Sequence, residues 1–347
     1  MRAVTSLVVA QAAGVSPATV SLVMNDRRDI VLSEATRERV RGVAAQMGYR
    51  PNYLARSLLR GRTQTVGVIL PSLASSFVAQ IAEGIQAVAW ERNHRVLLSH
   101  TRHSPEIEAR QLALLLEHQV DGVVIVTGEM TLADLPARLD TLAKARLPTL
   151  VVDEASVADR VDCVVSDDER GARMAAEHLL RLGHRRIGMV GAGDLTSSAR
   201  ARLVGYRRAL ETWGIRFDAS LVSGRTYLQD DGVSVLSTLL ALPTPPTAIL
   251  AANDRRLAEG LPWLRQRGIR VPQDLALVGY ANYDFAAYLG LTSVDQHPQL
   301  LGHRAMTRLL QRIDKPQLKP RLFKEVPELV VRQSSGRASP PDGLTVT

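Results

Sequence analysis

Ser16, Pro17, Ala18 and Thr19 stand in a row, and Ser21, Leu22 and Asn25 follow within two turns. None of these types forms a nucleophile–base pair. What they offer is hydrogen bonding and close approach. A serine ahead of a proline is a helix N-cap followed by a residue whose φ already suits the first helical position. Ala18 lets another surface come near, and Thr19 carries both a hydroxyl and a methyl. Such groups suit a base edge, the hydroxyl as donor or acceptor and the methyl against thymine. Free N–H groups at a helix N-terminus can also hold a phosphate. A Ser-Pro cap alone is equally the start of an ordinary helix, so the meaning lies in what surrounds it.

The surrounding pattern is helical. Val8, Val9, Ala12 and Ala13 predict the apolar face of a short first helix, which Gly14 ends by taking φ > 0. The second helix is predicted over Pro17–Met24, with Val20, Val23 and Met24 facing inward. A third starts at Ser33-Glu34 and places Val40, Val43, Ala44 and Met47 at i, i+3, i+4 and i+7. Gly48 stops it and Pro51 forbids its continuation. Helix, tight turn, helix and a bracing third helix make a helix-turn-helix module, whose second helix enters the ~12 Å major groove.

Charge agrees with a polyanionic partner. Residues 1–62 hold ten arginines, Arg28 and Arg56 among them, against four carboxylates, and so carry +6 of the chain's formal +8. The one cysteine, Cys163, can close no internal disulfide, which fits a reducing compartment. No apolar run approaches the ~18 residues of a spanning helix. The start at Met1-Arg2 mimics a weak signal peptide, but Thr5, Ser6 and Gln11 interrupt its apolar run and the helical pattern continues through it. The reading is therefore cytoplasmic.

Little else points to bond-making chemistry. His100 and His103 have no third histidine or cysteine close by, so no metal is expected. Met189–Asp194, MVGAGD, holds a GxG but no third glycine opening a helix, which reads as a strand-end loop and not a dinucleotide fingerprint. No serine sits in a GxSxG elbow. No cofactor is expected.

After Thr63 short apolar runs alternate with helical stretches. Strands are predicted at residues 66–70, 95–98, 122–126, 149–152, 187–191, 247–251 and 275–279. Helices are predicted at 78–92, 105–118, 169–182, 201–213, 232–242 and 255–267. Apolar strands bounded by helices mean parallel sheets covered on both faces, with a ligand crevice outside the strands' carboxyl ends.

Several blocks in order resemble the LacI family of bacterial transcription regulators. They are Ala10, Ala13-Gly14-Val15-Ser16, Thr19-Val20-Ser21, Val23 and Asn25; then Leu32–Val40; then Gly48-Tyr49-Arg50-Pro51-Asn52; then Ala55-Arg56-Ser57-Leu58. The likeness continues to about residue 335. It implies an all-α helix-turn-helix domain over 1–51 and a hinge helix over 52–62. An effector-binding domain over 63–335 would follow, built of two doubly wound parallel-sheet subdomains of periplasmic-binding-protein type I. Their spans would be about 63–164 with 295–325 and 165–294 with 326–335. The Pro/Gly/Ser-rich tail, 336–347, is expected to be disordered, and its lack of leucine heptads favours a dimer over a tetramer.

The same likeness implies roles. Ser16, Pro17, Ala18, Thr19, Ser21, Leu22, Asn25, Arg28, Tyr49, Asn52, Ala55, Arg56 and Leu58 are expected on DNA. Leu58 would wedge into the minor groove at the centre of a pseudo-palindrome, the alternative being that Leu58 and Leu59 pack on the next domain. Phe77, Asp153, Arg202, Tyr227, Asn253, Asp254, Tyr280, Asn282 and Gln296 are expected around a small-molecule effector, a sugar, sugar acid or related metabolite. Three positions depart from the family: Val8 and Ala281 where it usually has Asp, and Leu22 where it often has Arg. Losing the carboxylate at 281 favours an effector that is anionic, such as a sugar acid, or that presents fewer hydroxyls there, unless Asn282 or a water takes its place. Two other classes fit the residues less well. An exported solute-binding protein conflicts with the basic first 62 residues, and an enzyme on a doubly wound fold lacks a nucleophile–base pattern.

Overall fold

The computed structural model describes residues 4–24, 30–49, 62–127, 134–191, 196–224 and 231–336. The chain divides into two compact units, Met1–Thr63 and Gln64–Thr347.

In the first unit α1 spans Ser6–Ala13, α2 Pro17–Met24 and α3 Glu34–Gln46. Gly14 takes φ 66° and closes α1 with its N–H on the carbonyls of Ala10 and Gln11. Ser33 caps α3, its hydroxyl accepting from the Thr36 N–H at 3.3 Å. The core is Val9, Ala10, Ala13, Val20, Val23, Val40 and Ala44, with Met24, Val43, Met47 and Tyr49 packed at its margin. The predicted phase of α1 was off by one residue. Val8 is 39% exposed while Ala10 is buried. The run Leu-Val-Val-Ala is apolar at every position, so it has no periodicity of its own. The facing helices choose the buried stripe.

The second unit holds two six-stranded sheets. The strands of the first are β1 (Thr65–Leu70), β2 (Arg95–His100), β3 (Gly122–Val126), β4 (Thr149–Val152), β5 (Asp162–Ser166) and β11 (Leu322–Glu325), in the order β11-β5-β4-β3-β1-β2. Those of the second are β6 (Ile187–Val190), β7 (Val222–Ser223), β8 (Ala248–Ala251), β9 (Ala276–Tyr280), β10 (Thr292–Asp295) and β12 (Glu328–Val330), in the order β12-β10-β9-β8-β6-β7. Every pairing is parallel except β10 with β12. The central strands are buried along their whole length and apolar but for Thr65 and Thr149 at their starts, as burial on both faces requires.

Helices cover both sheets: α4 (Ser76–Glu91), α5 (Pro105–Glu117), α6 (Leu135–Lys144) and α12 (Pro298–Asp314) with the first, α7 (Asp168–Arg181), α8 (Ser197–Thr212), α9 (Gly232–Leu240), α10 (Asp254–Gln266) and α11 (Asp284–Tyr288) with the second. The backbone passes between the two lobes after β5, after β10 and after β11. To the elements read from sequence the structure adds β5, β7, β10, β11, β12, α6, α11 and α12.

Candidate functional site

A cavity of about 550 Å³ lies between the lobes, outside the carboxyl ends of β1, β4, β8 and β9. Phe77, in the first turn of α4, and Asp153, the residue after β4, line it from the first lobe. Arg202 of α8 and Asn253, which precedes α10, line it from the second, and Gln296 lines it where the chain leaves β10. Five of the nine expected effector contacts therefore meet in one place. Asp153 has φ 68°, a left-handed conformation that Asp tolerates better than most residues and that turns the chain sharply at the strand end.

The next residue ties the lobes together. Glu154 is fully buried. Its carboxylate accepts from the Ser156 N–H at 2.8 Å and from the Ser197 N–H, the first of α8, at 3.2 Å. The Ala155 N–H donates to the Ser197 hydroxyl at 3.2 Å. A carboxylate at a helix N-terminus also meets the positive end of the helix dipole. The helix that carries Ser198 and Arg202 to the cavity is thus anchored to the opposite lobe.

Arg202 is held on three sides. Its Nε donates to Asp168 Oδ1 at 2.9 Å and its Nη1 to the Ala252 carbonyl at 2.6 Å. Its guanidinium carbon lies 4.0 Å from the centre of the Tyr280 ring. Asp168 Oδ1 also accepts from Gln296 Nε2 at 3.2 Å, and the Tyr280 hydroxyl donates to the Asp168 carbonyl at 3.3 Å. Burial raises the Asp168 carboxyl above the usual carboxylate range, against the opposing charge and hydrogen bond of Arg202.

Three expected contacts are absent from the cavity wall, each for a visible reason. Tyr280 is fully buried beneath Arg202. Asp254 accepts from the Ser293 hydroxyl at 2.7 Å and the Tyr283 N–H at 3.0 Å. Its Oδ1 lies where a Cβ on Gly279 would come within 1.8 Å of it, so it is wedged against β9 and only glycine fits opposite. Burial raises its pKa to about 7, with the hydrogen bonds from Ser293 and Tyr283 opposing. Asn282 is engaged elsewhere, its Nδ2 donating to Asp295 Oδ2 at 3.0 Å. Ala281 itself lines the cavity with φ 87°.

Other groups on the wall escaped the sequence reading. Tyr283 and Phe285 lie side by side with ring centres 5.3 Å apart, and Tyr283 receives a hydrogen bond from Asn253 Nδ2 at 3.2 Å. In a chain with 4% aromatics the pair Tyr-Asp-Phe was a usable signal. Asp168 was not legible, because Asp-Asp-Glu at a helix start reads only as capping; Asp167 does cap α7.

On the first unit, Ser16 accepts from the Thr19 N–H at 3.1 Å, and its hydroxyl lies 3.0 Å from that of Thr19. Ser16, Pro17 and Ala18 are exposed, while Thr19, Ser21 and Leu22 are half-buried. Tyr49 packs at the margin of the helical core. Asn25, Arg28, Asn52, Ala55, Arg56, Leu58 and Tyr227 lie outside the described residues, as do the hinge and the tail beyond residue 336.

The three-helix unit with a capped, exposed second helix, followed by a two-lobed α/β unit, matches known proteins at every level. Residues 8–52 match the model for bacterial regulatory proteins of the lacI family, and residues 176–335 match that of a periplasmic binding protein-like domain. The HTH-type transcriptional regulator DegA of Bacillus subtilis (strain 168) is 33% identical over 332 residues, 94% of this chain and 96% of DegA. The chain belongs to the LacI family. Among solved structures, the lac repressor dimer bound to operator and the anti-inducer ONPF is 29% identical and superposes with a TM-score of 0.84 over 97% of this chain and 100% of the repressor. A complex of the transcriptional regulator CelR with cellobiose is 31% identical, with a TM-score of 0.72 over 95% of this chain and 99% of CelR.

As a LacI-family member the chain is a DNA-binding transcription regulator, of a family that generally responds to small-molecule effectors, and its relatives are regulators, not enzymes. Among the described residues no single helix is long and apolar enough to cross a membrane, and no three His, Cys, Asp or Glu side chains gather as metal ligands.

Proposed function

We propose that this protein is a cytoplasmic repressor. As a homodimer it holds a pseudo-palindromic operator through Ser16, Pro17, Ala18, Thr19, Ser21 and Leu22. It releases or tightens on DNA when a carbohydrate-like effector enters the cavity between its lobes, and it needs no other cofactor. The observation that carries the reading is the cavity wall. Phe77, Tyr283 and Phe285 supply apolar ring faces; Asp153, Asn253, Arg202 and Gln296 supply donors and acceptors. A polyhydroxyl ring needs both, faces for its C–H groups and polar partners for its hydroxyls.

A second copy has a place to dock. β2 is an edge strand of its sheet, and its Leu97 and Leu98 are 37% and 42% exposed. An edge of this kind invites pairing. Two copies would present two recognition helices to two half-sites.

Selection of duplexes from a random pool by the purified protein, at physiological salt and without added ligand, tests the reading. An enriched pseudo-palindrome is expected. Absence of any enriched sequence, both alone and with a panel of sugars added, would overturn it.

A further inference from the structure

Arg202 is the group on the cavity wall best suited to seize an anion, because its planar fork matches carboxylate and phosphate oxygens. Its surroundings work against that use. A carboxylate that is itself buried, Asp168, takes its Nε at 2.9 Å. An incoming anion at Arg202 would therefore meet a cation whose charge is already balanced, and would feel the repulsion of Asp168 close behind. The same oxygen of Asp168 takes Gln296 Nε2 at 3.2 Å. One carboxylate thus aims two cavity groups that come from different elements, α8 and the end of β10.

The remaining charges of the wall point the same way. Arg255 is paired with Glu259 at 2.9 Å, and Glu259 also receives Arg256 at 2.8 Å. Asp153 and Asp284 add two further carboxylates to the lining. The loss of a carboxylate at Ala281, which by itself favours an anion, is outweighed by this inventory.

We propose that Asp168 is the residue that sets the charge of the ligand this cavity accepts. With its carboxylate in place the cavity takes a neutral polyhydroxyl molecule and rejects the corresponding acid. With that charge removed, Arg202 becomes an oxyanion receptor. This assignment rests on the reading of the cavity as the effector site. Asp168 is a positioning residue here; it acts through Arg202 and Gln296.

The test uses the full chain and inorganic sulfate as the probe, followed by calorimetry at constant ionic strength. Asp168→Asn keeps an oxygen for Arg202 and Gln296 and removes only the charge. The variant is expected to bind sulfate about tenfold or more tightly than the unaltered protein, as the loss of one nearby like charge implies. Arg202→Gln in the same background should abolish the gain. A merely structural role for Asp168 would lower stability without creating a sulfate site. Equal sulfate binding by the unaltered protein and by Asp168→Asn would overturn the proposal. So would sulfate binding by the unaltered protein that Arg202→Gln removes, an arm that needs no variant at 168. Operator selection uses no sulfate, so a failure of the regulator reading and a failure of this assignment are separable.

Discussion

Asp254 is a carboxyl group placed out of reach of water, and its titration should be visible in the stability of the protein. Burial raises its pKa from an ordinary 3.8 to about 7, so the fold prefers the protonated form. Its contribution to stability is therefore full below about pH 4, declines as pH rises and is lost on passing about pH 7. Glu108, also raised to about 7 by burial against the opposing pull of Arg138, titrates in the same window and the same direction. Comparison with Asp254→Asn isolates the first group. In denaturant unfolding at several pH values, the stability of the unaltered protein relative to the variant should fall from pH 4 to pH 7, by at most about 4 kcal/mol. Identical pH slopes would show that Asp254 is not the titrating group. At this scale the sequence was informative where the likeness to the LacI family assigns a position to the effector crevice. Arg202, Gln296, Asn253, Phe77 and Asp153 were identified and do line the cavity. It was silent where a residue acts from behind, as Asp168 does, because nothing in the chain's local pattern brings residues 168, 202 and 296 together.

Elements that meet at close quarters give sharper tests. Ser197 is the first residue of α8, a position where a helix needs no N–H of its own and proline is welcome. Thr196 ahead of it has φ −123° and ψ 155°, the conformation a residue before proline prefers. Ser197→Pro should therefore leave the helix intact. It removes the N–H that Glu154 accepts and the hydroxyl that Ala155 reaches. The tie between the lobes should loosen, and hydrogen exchange at Ala155, Ser156 and Val157 should quicken; unchanged exchange there would show that these two bonds do not hold the lobes. Packing of α4 on α12 supplies a second test. A Cβ on Gly84 would come within 2.1 Å of the Gln299 carbonyl oxygen, and one on Gly302 within 2.0 Å of that of Ile81. Either Gly→Ala change should cost about 1–3 kcal/mol in urea unfolding, since two backbones would have to part. No loss of stability would mean that the pair slides freely. The strands of continuous apolar residues were legible element by element, because burial on both faces leaves only one composition. Of the edge strands β2 was legible, while β7, β11 and β12 were not. β7 and β12 are two and three residues long and half-exposed, and their pairing partners alone define them.

The whole molecule must present two recognition helices at once if it is to read a pseudo-palindrome, and that requirement turns the edge of a sheet into a determinant of DNA affinity. β2 closes one side of its sheet with Leu97 and Leu98 open to solvent on alternate faces. In a lone molecule that edge is a liability; in the proposed dimer it would be covered. A charge there should be tolerated by the fold, since the edge has no strand beyond it in its own sheet, and should be rejected by the interface. Leu98→Lys is therefore expected to shift the protein from dimer to monomer in sedimentation equilibrium while leaving its cooperative unfolding intact. Operator affinity should fall by about a hundredfold or more, because the second half-site loses the effective concentration that the first contact supplies. The salt dependence of binding should flatten at the same time, since only one set of arginines would then displace counterions from the duplex. A variant that stays dimeric and keeps its operator affinity would place the partner surface elsewhere, with Tyr288 and Leu289, exposed at 89% and 45% near the end of α11, as the next surface to charge.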